Sequence, residues 1–516
     1  MTSETLVTSA DGTVRGIRLG DLLAWRGLPY AAPPVGPLRL RAPQPVEPWS
    51  GVRDATQFGN AASQHPRGVA TGRRGVRIRP DEDCLTLNVL APAGKVHTPR
   101  PVMVFIHGGA FTLGTSALSL YGGESLVRRG DVVYVSINYR LGALGYLDFG
   151  VFSTDSVRFD SNLGLRDQVA ALEWVQRNIA AFGGDPGNVT IFGESAGGTS
   201  VTTLLATPAA SGLFSAAIAQ SPAPNLVVTA DRSAEWGRKF VELIGADTES
   251  AAQALLDASP AELGRAGSRL GAQVLRATPG LHPFGPVVDG DFVPVQPLEA
   301  YETGAANPVP LMLGTNDREG ALFPKFLDGL PTDPQRIDAL FAATDPDAKD
   351  RIAAAYPGYP NERAAIDLGG DLTFWHPSVQ IAQAHSRFAP TYMYRFDFAP
   401  RLLKMTGFDA THAIELLAVF DQADEPVGRA LTALGGRRGL RTVSATMQRH
   451  WLSLAHHGEP LPSWPRYDEK DRATVIFDEV TRVEHDPRRE RRLAWEGYRG
   501  YATPAPRPMR ATTSSP

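Results

Sequence analysis

Along the middle of the chain, short unbroken apolar runs alternate with longer stretches whose apolar residues recur every three or four positions. Val102-Met103-Val104-Phe105-Ile106 is uninterrupted and stops at His107-Gly108-Gly109, the pattern of a strand buried on both faces. Residues 132–137 form a second such run, closing on Asn138-Tyr139-Arg140, and residues 188–192, 310–313 and 391–396 supply three more. Val169, Leu172, Val175 and Ile179 fall at helical spacing and predict an amphipathic helix over 165–181. Residues 199–205 predict the helix after the third strand. Strands separated by helices imply βαβ units, hence an α/β fold with a large, mostly parallel central sheet flanked by helices. Ligands of such sheets bind beyond the carboxyl ends of the strands, so functional residues are expected just after them.

The third strand runs directly into Gly193-Glu194-Ser195-Ala196-Gly197. A G-x-S-x-G between a strand and a helix holds its serine in a strained turn with Oγ clear of the sheet, and the helix that follows turns its positive end toward developing charge. Ser195 is therefore the candidate nucleophile. Attack on an acyl carbon creates a tetrahedral oxyanion that preorganised backbone N–H groups must meet. Ala196, after the nucleophile, supplies one. The Gly-rich loop His107-Gly108-Gly109-Ala110-Phe111 can approach a substrate closely, and Gly109 and Ala110 are its candidate donors. His107 stands at a strand end before them and is read as structural.

Chain order in this arrangement is serine, then acid, then histidine. The fourth strand leads into Gly314-Thr315-Asn316-Asp317-Arg318-Glu319-Gly320, where position alone leaves Asp317 and Glu319 both open as the acid. Of eleven histidines, those before Ser195 are disfavoured by order, and His282 precedes the acid. His376 and His385 lie before the fifth strand, and His450, His456 and His457 fall in a helical stretch around Trp451. His412, after the fifth strand, fits best as the base.

Composition narrows the classes. Across 516 residues the net charge is −4, with no electrostatic case for nucleic acid. The clusters Arg437, Arg438, Arg441 and Arg488, Arg489, Arg491, Arg492 are expected to be solvated surface. The single cysteine, Cys84, permits no intrachain disulfide and fits a reducing cytoplasm. The polar first twenty residues carry no signal-peptide pattern, and no apolar run reaches the ~18 residues that span a membrane. One catalytic domain over 1–502 is expected, with a disordered tail over 503–516. A monomer is favoured, since no coiled-coil signal appears. No metal-ligand set and no dinucleotide or Walker motif is evident, so no cofactor is expected.

The stretch Phe182-Gly183-Gly184-Asp185-Pro186-Gly187-Asn188-Val189-Thr190-Ile191-Phe192-Gly193-Glu194-Ser195-Ala196-Gly197 resembles, almost residue for residue, the serine signature of the type B carboxylesterase family, which includes cholinesterases and bacterial para-nitrobenzyl esterases. Glu82-Asp83-Cys84-Leu85-Thr86-Leu87-Asn88-Val89 resembles its second signature. Residues 27–36 and Asn138-Tyr139-Arg140-Leu141-Gly142 resemble further family segments, and the similarity runs from about Gly27 to about Phe477. The resemblance implies an α/β-hydrolase fold with long insertions forming a cap or gorge. It implies a serine carboxylesterase acting on small to medium aliphatic or aryl esters through an acyl-enzyme. From Gly-Thr-Asn…Glu-Gly it implies Glu319 as the acid, and from His-x-x-Glu-Leu it implies His412 as the base. Gly109, Ala110 and Ala196 are the implied oxyanion donors, and Glu194 the residue that organises the site and its waters. An amidase or carbamate hydrolase would share this machinery. A non-catalytic binding protein on the same fold would not need it, and here every position holds a competent residue type. The chain departs from the cholinesterase branch: Cys84 has no partner, and residues 61–80 hold Arg67, Arg73, Arg74, Arg77 and Arg79 but no aromatic ring to bind a quaternary ammonium. Phe284, Phe323, Phe326, Phe374 and Trp375 are open as either pocket lining or core packing.

Overall fold

Eleven strands form the main sheet of the computed structural model, which describes residues 3–64, 78–326 and 328–501. In chain order they are Ile17–Leu19 (β1), Leu22–Pro29 (β2), Thr86–Pro92 (β3), Arg100–Ile106 (β4), Val133–Ile137 (β5), Gly184–Glu194 (β6), Ala216–Gln220 (β7), Leu311–Asn316 (β8), Thr391–Phe396 (β9), Ala473–Phe477 (β10) and Arg482–His485 (β11). Their spatial order is β1-β2-β3-β5-β4-β6-β7-β8-β9-β10-β11. From β5 to β10 neighbours run parallel. β1, β2 and β3 pair antiparallel at one edge and β11 at the other. The helices that bear on the site are Leu163–Asn178 (α1), Ala196–Leu205 (α2), Glu362–Gly370 (α3), His376–His385 (α4), Arg437–His457 (α5) and Arg489–Trp495 (α6).

Successive residues of the central strands point to opposite faces, and both faces are apolar because both are covered. Val102, Val104 and Ile106 of β4 share one core with Leu165, Leu172 and Val175 of α1. Met103 and Phe105 share the other with Val443, Met447 and Trp451 of α5. Each such side chain contributes roughly 1.5–3 kcal/mol on burial. This two-sided clamp holds the carboxyl ends of β4, β6, β8 and β9 in fixed relation, and the site is built on those ends.

The sequence-predicted strands all form, with adjusted ends: β6 extends to Glu194 and β8 to Asn316. α1 stops at Asn178, where a 3-10 turn, Ile179–Phe182, closes on Gly183 with φ 87°. The sequence pattern had passed over β7, Ala-Ala-Ile-Ala-Gln, because alanine carries little strand preference. Its neighbours on both sides decide its conformation.

The second arginine cluster corrects an expectation. Arg438 and Arg441 are exposed, and Arg441 pairs with Asp424. Arg488 is only 9% exposed at its side chain and ion-paired, and Arg492 pairs with Asp486 at 2.7 Å. The run of cations looks solvated from sequence because the partners of Arg488 and Arg491, Asp317 and Asp371, lie more than a hundred residues away. The tail at 503–516, and Arg67, Arg73, Arg74 and Arg77 in the 61–80 stretch, lie outside the described residues. Among the described residues, no helix is long and apolar enough to cross a membrane.

Candidate active site

Ser195 sits between the end of β6 and the start of α2 with φ 57° and ψ −121°, a conformation that costs of order 1–3 kcal/mol. Its amide donates to Gln220 O at 2.9 Å, and Thr199 N–H donates back to its carbonyl at 2.8 Å. The small residues of the motif have a steric cause. A Cβ on Gly193 would lie 2.6 Å from Gly197 C, and one on Gly197 would lie 2.0 Å from Ile106 O. The turn can pack against β4 only with glycine at both places.

The loop after β4 passes beside this turn. A Cβ on Gly108 would meet Glu194 O at 2.6 Å and Ser195 Cβ at 3.1 Å. Gly109 has φ 119°, and Ala110 and Phe111 follow at φ 51° and 57°, a left-handed run that turns the chain back on itself. The strain is held from outside: Gly142 N–H donates to Phe111 O at 2.7 Å, and Gln64 accepts from Gly114 N–H while donating to Gly114 O. The amides of Gly109 and Ala110 donate to no group among the described residues. The Ala196 amide lies in the first turn of α2, where helix geometry leaves N–H groups free and the dipole favours negative charge. Gly109, Ala110 and Ala196 are thus available as oxyanion donors.

Glu319 and His412 meet. His412 Nδ1 lies 2.6 Å from Glu319 Oε2, while Glu319 Oε1 accepts from Ser221 Oγ at 2.6 Å and from Asn316 N–H at 2.6 Å. The carboxylate is held from both sides. His412 Nε2 has no hydrogen-bond partner among the described residues and lies 3.3 Å from Glu194 Oε1, the residue before Ser195. Both rings of a stacked aromatic pair, Phe323 and Phe374, lie against the imidazole, at 5.2 and 4.5 Å between centroids.

Three buried carboxylates, Glu194, Glu319 and Glu415, surround this imidazole. Burial alone would lower its pKa, but the charges of Glu194 and Glu319 outweigh burial and raise it, to about 9. Burial likewise pushes Glu194 up to about 8 and Glu415 up to about 7. Glu194 and Glu415 share one dry site with the imidazole, so each holds its proton more tightly and the two titrate together with it.

Asp317 faces away, toward Arg488 at 2.8 Å and Arg395 at 3.5 Å. That geometry separates the two acids that position alone left open. His107 is buried and stacked on Tyr139 at 4.5 Å, with Tyr139 Oη donating to its carbonyl; burial lowers its pKa to about 4. It is a bracing residue, as expected. His376 stacks on Trp495, His385 lies 2.9 Å from Val309 O, and His282 lies 3.2 Å from Phe284 O. Of the open aromatics, Phe323 and Phe374 lie against the imidazole and pack in one cluster with Ala223 and Leu330. Phe284 and Trp375 belong to the main core, and Phe326 is 69% exposed.

Several residues of the site were not singled out from sequence. Ser221 follows the unpredicted β7, so its place at a strand's carboxyl end was hidden. Glu415, within the His-x-x-Glu-Leu motif, accepts from Asn316 Nδ2 at 2.7 Å and from Gln220 Nε2 at 3.4 Å. Arg318 donates its amide to Ala410 O at 2.9 Å, and its guanidinium to Gly407 O at 2.7 Å and Asp409 at 2.9 Å. It ties the loop of Glu319 to the loop of His412. Its spacing to Asp409, 91 residues on, carries no local signal.

A parallel sheet of this order, with a strained serine turn after its central strand and the acid and histidine after later strands, is that of the α/β-hydrolases. The match to a model of the carboxylesterase family covers residues 3–495, and this chain belongs to that family; it is a carboxylic-ester hydrolase. It is 38% identical over 493 residues to the para-nitrobenzyl esterase of Bacillus subtilis (strain 168), covering 94% of this chain and 97% of that one. Liver carboxylesterase 1 of Mus musculus is 36% identical over 488 residues, 86% of this chain and 83% of that one. Among solved structures, a thermophilic PNB esterase superposes with TM-score 0.86 at 36% identity, covering 95% of this chain and 100% of that one. A Geobacillus stearothermophilus carboxylesterase superposes with TM-score 0.83 at 35% identity, with the same coverages.

Proposed function

We propose that Ser195, His412 and Glu319 act as nucleophile, base and acid in hydrolysing small to medium aliphatic or aryl esters. The observation that carries this reading is the imidazole itself: Nδ1 is fixed on Glu319, and Nε2 is left without a partner beside the serine turn. Nε2 accepts the Ser195 proton as Oγ adds to the ester carbonyl, and Glu319 orients the ring and stabilises its charged form. The amides of Gly109, Ala110 and Ala196 receive the oxyanion. The imidazolium then protonates the departing alcohol, and a water activated by the same nitrogen releases the acid from the acyl-enzyme. Water is consumed and no other co-reactant is needed. Glu194, 3.3 Å from Nε2, sets the charge around the imidazole and the order of water there.

The apolar wall of Ala223, Phe323, Leu330 and Phe374 supports uncharged acyl or aryl groups as the substrate part that lies against the imidazole. A cytoplasmic location belongs to the same reading, supported by the single, buried Cys84. Hydrolysis of para-nitrophenyl acetate, butyrate and octanoate, beside a matched butyryl anilide, tests this function. Turnover of the esters with butyrate above acetate in kcat/KM, and a much slower anilide, is expected. An anilide rate equal to the ester rate would move the assignment to an amidase, and an inert protein would overturn it.

A further inference from the structure

The cations near the C-terminus do more than decorate a surface. Arg488 donates through Nη2 to Asp317 Oδ1 at 2.8 Å and to Asp317 O, and through Nη1 to Asp371 Oδ1 at 2.8 Å. Asp317 lies two residues before Glu319, on the loop that ends β8. Asp371 opens a π-helical turn, Asp371–Trp375, set between α3 and α4, and three residues on that turn presents Phe374 to the imidazole. Such turns are costly and cluster at functional sites. The other Asp371 oxygen accepts from Arg491 at 2.8 Å and from Tyr356 Oη at 2.8 Å, and Trp495 of α6 donates to that same hydroxyl. Asp371 is 5% exposed at its side chain and sits among these donors.

We infer that Arg488 is a positioning residue for the ester-hydrolysing site: one buried guanidinium holds both the loop that carries Glu319 and the π-helical turn that carries Phe374, so the segment before α6 sets where acid and aromatic wall stand relative to His412. A planar guanidinium suits this because N–H donors on its two terminal nitrogens point in fixed in-plane directions to two carboxylates at once, a geometry that an ammonium does not hold. The pair with Asp371 is enclosed on both sides, so that carboxylate cannot turn to water while the arginine remains, and the half-exposed Asp317 is held by the same guanidinium at its carboxylate and its carbonyl. The inference rests on the Ser195–His412–Glu319 reading above.

The test is Arg488→Met and Arg488→Lys in the full chain, with active sites counted by a para-nitrophenyl ester burst and the pH dependence of kcat/KM recorded. Per active site, Arg488→Met should lose about five- to twenty-fold in kcat with KM for the acetate ester changed less than about threefold, and Arg488→Lys should recover part of the loss. The acid limb should move to lower pH, because a loosened Glu319 stabilises the imidazolium less. A merely structural arginine would lower the count of active sites and leave kcat per site and the acid limb where they were, and that result overturns the inference. If Arg488→Met does not fold, Asp317→Ala removes the carboxylate bond of the arm to the acid loop and leaves the pair with Asp371 in place: a downward shift of its acid limb supports the inference, and an unmoved limb with full kcat overturns it. Glu319→Gln, run alongside, separates the two claims. An active Glu319→Gln would sink the underlying reading, whereas an inactive Glu319→Gln beside a fully active Arg488→Met would sink this inference alone.

Discussion

Ninety-three residues apart in the chain, His412 and Glu319 are joined by a 2.6 Å contact between Nδ1 and Oε2, with the carboxylate's other oxygen already saturated by Ser221 and the Asn316 amide. The acid has little freedom to serve anything else. Glu319→Gln should keep the fold and lose roughly 10³–10⁴-fold in kcat, because an amide at this place favours the wrong imidazole tautomer. Asp317→Asn, two residues earlier on the same loop but turned to Arg488, should lose far less. Steady-state kinetics of the two variants on one ester checks the pair, and equal losses would contradict the assignment.

Glu194 approaches the unpartnered face of the same imidazole. Its negative charge stabilises the imidazolium and so raises the imidazole pKa above its ordinary value of about 6.5. The base works only when neutral, so activity is lost as pH falls through that pKa. Glu194→Gln removes one negative neighbour, lowers the imidazole pKa and should shift the acid limb of kcat/KM to lower pH. A pH–rate profile of both proteins measures it, and a limb shifted upward would contradict the sign.

The loop after β4 has no room for side chains. Gly108→Ala would place a methyl group 2.6 Å from the Glu194 carbonyl and 3.1 Å from Ser195 Cβ, so the loop must retreat and take the Gly109 and Ala110 amides with it. Loss of one oxyanion donor costs roughly 3–4 kcal/mol of barrier, so kcat should fall about 10²-fold or more while KM changes little. Normal kcat in this variant would remove these amides from the mechanism.

Much of this was legible in the sequence. Unbroken apolar runs marked strands that are buried on both faces, and the motif between β6 and α2 marked the serine because glycine at 193 and 197 is a steric necessity. What stayed hidden depends on partners far along the chain. Ser221 lay behind an alanine-rich strand with no β signature of its own. Asp317 and Glu319 are chemically alike, and only the position of Arg488, 171 residues from Asp317, turns one away from His412. The same distance made the arginine cluster look solvated. Phe323 and Phe374 were indistinguishable from core aromatics, because a ring beside an imidazole and a ring in a core follow the same pattern.

A buried ion pair fixes the sheet behind the site. Arg140, just after β5, meets Asp167 of α1 at 2.6 Å with both side chains almost wholly enclosed. Asp167→Ala would strand a guanidinium in the interior and should destabilise the fold by about 3–5 kcal/mol, read as a lower midpoint of urea unfolding. A change below about 1 kcal/mol would show that the pair is dispensable.

The nucleophile is the centre of the account, and hydrolysis of para-nitrophenyl butyrate by wild type and Ser195→Ala tests it most directly. The account predicts rapid turnover by the wild type, a loss of roughly 10⁶-fold in the variant, and an unchanged unfolding midpoint. A Ser195→Ala protein that turns over at the wild-type rate would contradict it.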